Sequence, residues 1–231
     1  MTASMINGSN VRAVVFDLDG TLADTAPDIA AALNLALASE GLAPFSLEGV
    51  KSMVGGGTRK LVERALRAAL AEAGAQRIEQ TLATFAAAYV AAPCRETALY
   101  PGAREVIDHL RGSGVRIGVC TNKPEPMTAA VLEGLGVAPF IDHVVAGSDR
   151  LALKPAPDML LAVVEALGAA PHEAVMVGDS AADIGAARAA GVRCILVGHG
   201  YTTTPVTALG GDKVIDGFHQ LATALEALAR A

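Results

Sequence analysis

The sequence predicts an α/β fold with a doubly wound, mainly parallel, Rossmann-like sheet and an inserted all-α domain. Two observations predict it. Short apolar runs alternate with helical segments over residues 93–231, and a helical block over residues 23–92 separates these runs from an earlier one. Alternation of this kind implies parallel strands joined by right-handed crossovers, with helices on both faces. We therefore expect a discontinuous core of residues 1–22 and 93–231 and a helical insert of residues 23–92.

The first strand is predicted from the run Val11–Phe16, which is apolar apart from Arg12 and ends abruptly at the segment Asp17–Thr21. Such a run, bounded by a turn signal, is typical of a strand that is buried on both faces. Residues two apart in an extended chain point to one side and lie roughly 6–7 Å apart. We therefore expect Asp17 and Asp19 to converge beyond the carboxyl end of the strand, where open α/β sheets bind ligands. The alternative is an ordinary Asp-Gly turn without a function.

The helical insert is predicted to contain four helices. Pro27 lies in the first turn of the first helix and Gly41 follows its end, which is the usual asymmetry of helix termini. Ser46 is expected to cap the second helix, and the run Gly55–Gly57 precedes the third. The helices are predicted over Ala26–Glu40, Ser46–Met53, Thr58–Glu72 and Gln76–Ala92.

The alternating pattern begins after Leu99, where Tyr100–Gly102 is predicted to open a helix that ends near Arg111. The later strands are short apolar runs that are bounded by turn residues. They are predicted over Val115–Cys120, His143–Ala146, Ala174–Val177, Val192–Val197 and Lys213–Ile215. The helices that connect and follow them are predicted over Pro126–Leu135, Pro157–Leu167, Ala181–Ala190 and Leu221–Leu228.

Composition and charge exclude several kinds of partner. The chain has 231 residues with a formal net charge of −6, and 52% of its residues are hydrophobic. An acidic chain is not expected to bind nucleic acid or an anionic membrane as its main partner. An anionic substrate would need locally placed cations.

The compartment is predicted from three features of the sequence. The 3 cysteines are scattered and form no CxxC pair, which is typical of reduced intracellular thiols. Residues 1–10 lack the basic start and apolar centre of a signal peptide, and no apolar run approaches the length of a membrane span. The sequence therefore predicts a cytoplasmic protein, and it is compatible with a monomer or a homodimer.

Polar residues follow the later strands as well as the first. They form the segments Thr121–Lys123, Lys154–Pro155 and Gly178–Ser180, and Asp183 lies one helical turn further on. Each has an ordinary structural explanation as a turn, a helix cap, a solvated lysine or an acid at a helix dipole. Together they bring a donor, a cation or an acid from successive strand ends to one crevice, which favours a functional site.

This set of side chains suits phosphoryl transfer. Two or three carboxylates form an oxygen site of the kind that binds Mg²⁺. Thr121 and Asn122 offer hydrogen-bond donors to phosphoryl oxygens, and Lys154 offers a positive charge. A carboxylate nucleophile divides the hydrolysis of a phosphate monoester into two steps through an aspartyl phosphate. A second acid beside it can protonate the leaving oxygen and then deprotonate water.

Four ordered motifs resemble those of the haloacid dehalogenase superfamily, namely Asp17–Thr21, Thr121–Pro124, Lys154–Pro155 and Gly178–Asp183. The resemblance implies that the helical insert is the α-helical cap domain of that superfamily. It also implies that Asp17 is the nucleophile and Asp19 the general acid/base. An acid at position 19 resembles the phosphotransferase branch, since the dehalogenases lack it.

The same resemblance implies the remaining roles in the core. Thr121 and Lys154 hold the phosphoryl group, and Asp17, the backbone carbonyl of Asp19 and Asp179 hold Mg²⁺. Asp183 supports the metal, either directly or through a water molecule. Three further residues are expected to bind the substrate beside these groups, namely Gly20, Thr21 and Asn122.

The substrate is predicted from a closer resemblance. The segments Thr121–Pro124 and Val54–Leu66 look most like those of phosphoglycolate phosphatases. A glycine loop that opens a helix exposes backbone N–H groups, which can bind an anion. Gly56, Gly57 and Arg59 are therefore expected to hold the carboxylate of 2-phosphoglycolate while the core holds its phosphate. The alternative is a loop that only joins two helices, with Arg59 solvated.

Other functions stay open on the sequence. Related caps serve sugar phosphates, nucleotides and amino-sugar phosphates, and a β-phosphoglucomutase-like phosphomutase would keep the phosphoryl group on Asp17. A receiver-type signalling domain also uses a phosphorylated Asp with a Thr and a Lys, but its acceptor lies on a mid-sheet strand of a shorter chain. A dinucleotide site is disfavoured because the glycine run Gly55–Gly57 follows a helix rather than a strand.

Overall fold

The computed structural model describes residues 11–70 and 73–229. Strands and helices alternate over most of these residues. The strands are β1 (Ala13–Phe16), β2 (Ala23–Asp24), β3 (Ala98–Leu99), β4 (Arg116–Pro124), β5 (His143–Gly147), β6 (Ala174–Gly178), β7 (Arg193–Val197) and β8 (Lys213–Ile215). The helices are α1 (Ala26–Ser39), α2 (Leu47–Lys51), α3 (Thr58–Ala69), α4 (Ala75–Ala91), α5 (Ala103–Gly112), α6 (Glu125–Gly134), α7 (Asp158–Ala166), α8 (Ala181–Ala190), α9 (Val206–Leu209) and α10 (Leu221–Ala229).

The main sheet has 6 strands in the order β5-β4-β1-β6-β7-β8, and each strand is parallel to its neighbours. β1 lies in the middle, where Val15 pairs with Gly118 of β4 and with Met176 of β6. In this sheet, β4 and β5 lie on one side of β1, and β6, β7 and β8, which come later in the chain, lie on the other side. The strand order therefore reverses beside β1. Open α/β sheets bind ligands at such a point, beyond the carboxyl ends of the strands. The predicted fold class is confirmed.

Two apolar cores cover the two faces of the sheet. Val14 and Phe16 of β1 belong to the core that also includes α5, α6, α10 and the helical insert. Ala13 and Val15 belong to the core that includes α7 and α8. Alternate residues of the strand therefore divide between the two faces, as the pleat requires. All four residues of β1 are buried, which explains why the strand itself has no polar position, whereas Arg12 before it is exposed.

The helical insert packs through α1, which contacts α2 and α4, while α3 also contacts α4. Ser46 caps α2 as predicted, because its hydroxyl accepts a hydrogen bond from the N–H of Gly49. α3 ends at Ala69, and positions 71 and 72 of the predicted third helix lie outside the described residues. The division into core and insert stays a prediction.

Two features of the fold were not predicted. β2 and β3 form an antiparallel pair, with Ala23 opposite Leu99, where the chain passes from the sheet to the helical insert and back. The second is α9, a short helix between β7 and β8. β4 also continues to Pro124, beyond the predicted end at Cys120, with an irregular register after Thr121. The polar segment Thr121–Pro124 therefore lies within β4, beside β5.

No helix in residues 11–70 and 73–229 is both long and apolar enough to cross a membrane. The predicted absence of a signal peptide concerns residues 1–10, which lie outside the described residues.

Candidate active site

The carboxyl ends of four neighbouring strands bring predicted catalytic and metal-binding residues together. Asp17 follows β1, Thr121 lies near the end of β4, Lys154 lies in the loop after β5, and Asp179 and Asp183 follow β6. Their exposed fractions are 8%, 1%, 4%, 3% and 0% in that order. Buried charged groups are rare unless they are paired, so this cluster needs an electrostatic explanation.

Lys154 lies at the centre of the cluster. Its ammonium nitrogen Nζ donates to the carbonyl of Cys120 at 2.6 Å and to Oδ1 of Asp183 at 2.7 Å. It also lies 2.9 Å from Oδ1 of Asp17. Burial alone would lower the Lys154 pKa, but the charges of Asp17 and Asp183 outweigh burial and raise it. Lys154 is therefore a permanent cation at the floor of the site.

The contact between Lys154 and Asp17 is an ion pair without hydrogen-bond alignment. Among the described residues, Oδ1 of Asp17 is a buried oxygen that accepts no hydrogen bond. Burial raises the pKa of Asp17, Asp183 and Asp19 raise it further, and Lys154 opposes them. A buried carboxylate with an unused oxygen is suited to a reacting group or a bound cation.

Three acids converge at the same point. One carboxylate oxygen from each of Asp17, Asp179 and Asp183 lies within 4.8 Å of the others. Burial and the charges of the other two acids raise the pKa of Asp179. Like charges this close stay ionised together only when a cation offsets their repulsion. The donor set consists of carboxylate oxygens, which are the ligands that Mg²⁺ prefers, so these residues fit a Mg²⁺ ion.

Asp183 has a structural role in addition. Its Oδ2 accepts hydrogen bonds from the N–H of Asp179 at 3.2 Å and from the N–H and hydroxyl of Ser180 at 3.0 and 2.6 Å. These bonds cap α8, while Oδ1 receives Lys154. Both oxygens are therefore occupied by protein donors, which is compatible with indirect support of a metal.

Asp179 is surrounded by Gly20 and Thr21, which were predicted to bind substrate, and by Tyr201, which was not. The Thr21 hydroxyl donates to its Oδ1 at 3.3 Å, and the Tyr201 N–H donates to its Oδ2 at 2.7 Å. Gly20 has a φ of +83°, and a Cβ there would lie 2.8 Å from Oδ2 of Asp179. Gly20 and Thr21 therefore position Asp179, and neither lines the two cavities described below.

Asp19 is held by two residues that were not predicted to be functional. Its Oδ1 accepts from the Thr25 hydroxyl at 2.6 Å and from the Lys123 ammonium at 3.0 Å. The Lys123 ammonium also lies 4.2 Å from the centre of the Tyr89 ring of α4, a cation–π contact. Lys123 is buried, which is rare for a lysine. The sequence signal that could have pointed to its role was its place at the end of a predicted strand.

Asn122 joins three segments of the protein and also lines the inner chamber described below. Its amide nitrogen donates to the carbonyls of Gly55 at 3.1 Å and Lys154 at 2.9 Å, and its amide oxygen accepts from the Lys154 N–H at 2.9 Å. Both amide hydrogens are thus used within the protein. The structure makes Asn122 a residue that positions Lys154 and the glycine loop.

Two connected cavities lie between the strand ends and the helical insert. The inner chamber, of about 40 Å³, includes Asp17, Asp19, Thr121 and Lys154, and Gly57 also lines it. Its roof is apolar and consists of Ile29, Val54, Leu61, Phe85 and Met127. The outer cleft, of about 410 Å³, has Asp19, Lys154 and Asp179 on the strand side. Its insert side consists of Ser52, Val54, Gly55, Gly56, Lys60 and Arg64.

Arg59 lies away from both cavities. Its guanidinium pairs with Glu79 of α4 at 2.7 Å and lies 3.9 Å from Glu63. Successive residues of a helix are turned by ~100°, so Arg59 faces α4 while Lys60 faces the outer cleft. The glycine loop reaches the cavities as expected, but the predicted cation does not.

A family model for haloacid dehalogenase-like hydrolases matches residues 11–191, which include every residue of the cluster. The phosphoglycolate phosphatase of Rhodospirillum rubrum is 42% identical over 214 residues, which are 91% of this chain and 89% of that protein.

Solved structures of similar proteins agree with this match. A predicted phosphoglycolate phosphatase of Haemophilus somnus has a TM-score of 0.89 at 28% identity, over 94% of this chain and 98% of that one. A mutant of CbbY from Rhodobacter sphaeroides, in complex with xylulose-(1,5)bisphosphate, has a TM-score of 0.77 at 27% identity, over 91% of this chain and 96% of that one. The chain therefore belongs to the haloacid dehalogenase-like hydrolase family.

Proposed function

We propose that this hydrolase is a Mg²⁺-dependent phosphomonoesterase that acts through an aspartyl phosphate, with 2-phosphoglycolate as its best substrate. One observation carries the reaction type: Asp17 presents a carboxylate oxygen without a hydrogen bond, 2.9 Å from a buried lysine. The similarity to phosphoglycolate phosphatases supports the substrate.

In the first step, a carboxylate oxygen of Asp17 attacks phosphorus and the bond from phosphorus to the ester oxygen breaks. Lys154 and the Thr121 hydroxyl hold phosphoryl oxygens. The Thr121 oxygen accepts from the Lys123 N–H at 3.2 Å, so its own hydrogen is available to the substrate. Asp19 gives its proton to the leaving oxygen, a contribution of roughly 10²–10⁴-fold.

In the second step, water attacks the phosphorus of the aspartyl phosphate and inorganic phosphate leaves. Asp19, now ionised, takes the proton from that water. Thr25 and Lys123 keep its carboxylate directed at the inner chamber in both steps. The apolar roof of the chamber limits the water that reaches the intermediate.

Mg²⁺ would be held by Asp17, Asp179 and the backbone carbonyl of Asp19, with Asp183 in support. It would supply positive charge that offsets the repulsion between a phosphate ester and a carboxylate nucleophile. Residues 23–92 would act as a cap over a core of residues 1–22 and 93–231, since they provide the roof of the inner chamber except for Met127.

A phosphate-release screen with Mg²⁺ tests the proposal. We expect 2-phosphoglycolate to have a higher kcat/KM than sugar bisphosphates, nucleotides and amino-sugar phosphates. Faster release from a sugar bisphosphate would transfer the substrate assignment to the class that the CbbY mutant binds. Isomerised product without inorganic phosphate would identify a phosphomutase instead.

A further inference from the structure

The outer cleft carries two cations that the reaction steps above do not use. Lys60 and Arg64 of α3 line its insert side, across from Asp19 and Asp179. They are four residues apart and therefore lie on one face of the helix. The insert side of the cleft contains no acid among the described residues. The cleft is thus positive on one side and carries the acids on the other.

From this arrangement, and resting on the proposed function, we infer that Lys60 and Arg64 form a second anion subsite that binds the carboxylate of the substrate. The core holds the phosphoryl group, and the helical insert holds the carboxylate at the other end of the same small molecule. Lys60, and not the adjacent Arg59, therefore binds the carboxylate together with Arg64.

The glycine loop and the residues just before it pack against the side chains of the two cations. The Arg64 guanidinium donates from Nη1 to the carbonyl of Met53 at 2.8 Å, which leaves its other N–H groups for a ligand. A Cβ at Gly56 would lie 2.9 Å from Cδ of Lys60 and 3.6 Å from Nη2 of Arg64. Any side chain at position 56 would therefore displace the Lys60 stem. This contact gives Gly56 a reason to be glycine, although its φ is not positive.

Lys60 is available to an anion. Over residues 11–70 and 73–229 it makes no ion pair or hydrogen bond, whereas Arg59 is already paired with Glu79. A free ammonium is a stronger attractor for a carboxylate than a guanidinium whose charge is offset by a carboxylate 2.7 Å away.

On the insert side, the inner chamber carries no charged side chain for a second anion, although Gly55, Gly57 and Thr58 also line it. Its roof is formed by aliphatic and aromatic side chains such as Leu61 and Phe85. A carboxylate placed there would lose its hydration without gaining a charged partner. The outer cleft is continuous with the catalytic groups through Asp19 and Lys154, which line both cavities. A substrate held at Lys154 can therefore extend toward the outer cleft.

The test compares 2-phosphoglycolate with ethyl phosphate, in which a methyl group replaces the carboxylate. The measured quantity is the ratio of kcat/KM for the two substrates in the wild-type enzyme, Lys60→Gln, Arg64→Gln and the double variant. We expect each single substitution to lower the ratio about tenfold, mainly by raising KM for the carboxylate-bearing substrate, because a charge-assisted hydrogen bond is lost. Lys60→Arg should retain most of the ratio.

Arg67→Gln is the matched control, because Arg67 lies one turn further along α3 and lines neither cavity. Thermal unfolding of each variant checks the fold, and Gln is a good helix former. An unchanged ratio in the double variant, with preference retained in the wild type, would overturn this inference alone. The same holds if Arg59→Gln lowers the ratio as much as Lys60→Gln. A wild-type enzyme without preference for 2-phosphoglycolate would overturn both this inference and the proposed substrate.

Discussion

The two sides of the paired cavities hold their charges in opposite ways. On the core wall, formed by the strand ends, Lys154 is buried and contacts Cys120, Asp17 and Asp183. On the insert wall, formed by the glycine loop and α3, Lys60 is exposed and has no partner among the residues that the structure describes. Removing one partner of a buried pair is costly, whereas exposed charges contribute little to stability. The buried charged groups proposed for catalysis stabilise one another, so replacing one of them also costs stability. The exposed cations proposed for substrate selection can be replaced one at a time.

The largest effect is expected from Asp17→Asn on the core wall. The substitution keeps the size of the side chain but removes the carboxylate proposed as the nucleophile, so phosphate release should fall by at least ~10⁴-fold. A phosphate-release assay with Mg²⁺ measures the loss, and circular dichroism checks the fold. Substantial residual activity in a folded variant would assign the nucleophile to another residue.

The comparison of the two walls is tested most directly by replacing each lysine with methionine. Lys154→Met leaves Asp17 and Asp183 buried without their cation, so we expect a loss of about 3–5 kcal/mol in the free energy of unfolding. Lys60→Met on the exposed wall should change it by no more than ~0.5 kcal/mol. Urea denaturation without Mg²⁺ measures both. Similar losses in the two variants would refute the contrast.

The acids of the core wall predict a pH-dependent response to metal. Burial is the main cause that raises the pKa of Asp17 to about 6 and that of Asp179 to about 8. Unfolded carboxyls titrate near ~4, so between that pH and these values the folded protein binds more protons than the unfolded chain. The stability of metal-free protein should therefore fall as pH rises through this window.

Mg²⁺ should oppose that loss, because it stabilises the ionised acids. The increase in Tm on adding Mg²⁺ to EDTA-treated protein is expected to be larger at about pH 8 than at about pH 5. Differential scanning fluorimetry at the two pH values measures it. An equal increase at both would mean that the acids are not the groups that bind the ion.

The smallest effect concerns a group of the insert that is not satisfied. The Tyr89 hydroxyl is buried and has no hydrogen-bond partner within residues 11–70 and 73–229. Tyr89→Phe keeps the ring beneath Lys123 and removes this hydroxyl, so stability should stay equal or rise by up to ~1 kcal/mol. Tyr89→Leu also removes the cation–π contact and should be less stable than Tyr89→Phe. The urea concentrations at which the two variants are half unfolded test this order: a midpoint for Tyr89→Leu at or above that of Tyr89→Phe would contradict it.

The sequence was sufficient for the sheet and for the acids at its edge. β1 could be predicted because a strand buried on both faces has an unbroken apolar run, and Asp17 and Asp19 interrupt it abruptly. Lys154 and Asp179 followed from the resemblance of the ordered motifs. The two-residue strands β2 and β3 could not be predicted, because two residues carry no periodicity.

Side-chain directions in the insert were beyond the sequence. Arg59 and Lys60 are adjacent cations, and which of them faces the cleft depends on the rotation of α3 about its axis. That rotation is set by packing against α4, where Glu79 attracts Arg59. The direction of the Asn122 amide was likewise not visible in the sequence. An amide suits a phosphate, and the sequence does not show that its two hydrogens are donated to the carbonyls of Gly55 and Lys154.

The antiparallel pair of Ala23–Asp24 and Ala98–Leu99 has a consequence for how such enzymes diversify. The chain leaves the sheet and returns to it at two points that lie side by side. A recombination event that exchanged everything between these points would leave every strand of the six-stranded sheet intact. A transplanted segment that keeps Thr25, whose hydroxyl binds Asp19, can thus bring a new specificity while the residues at the strand ends stay in place.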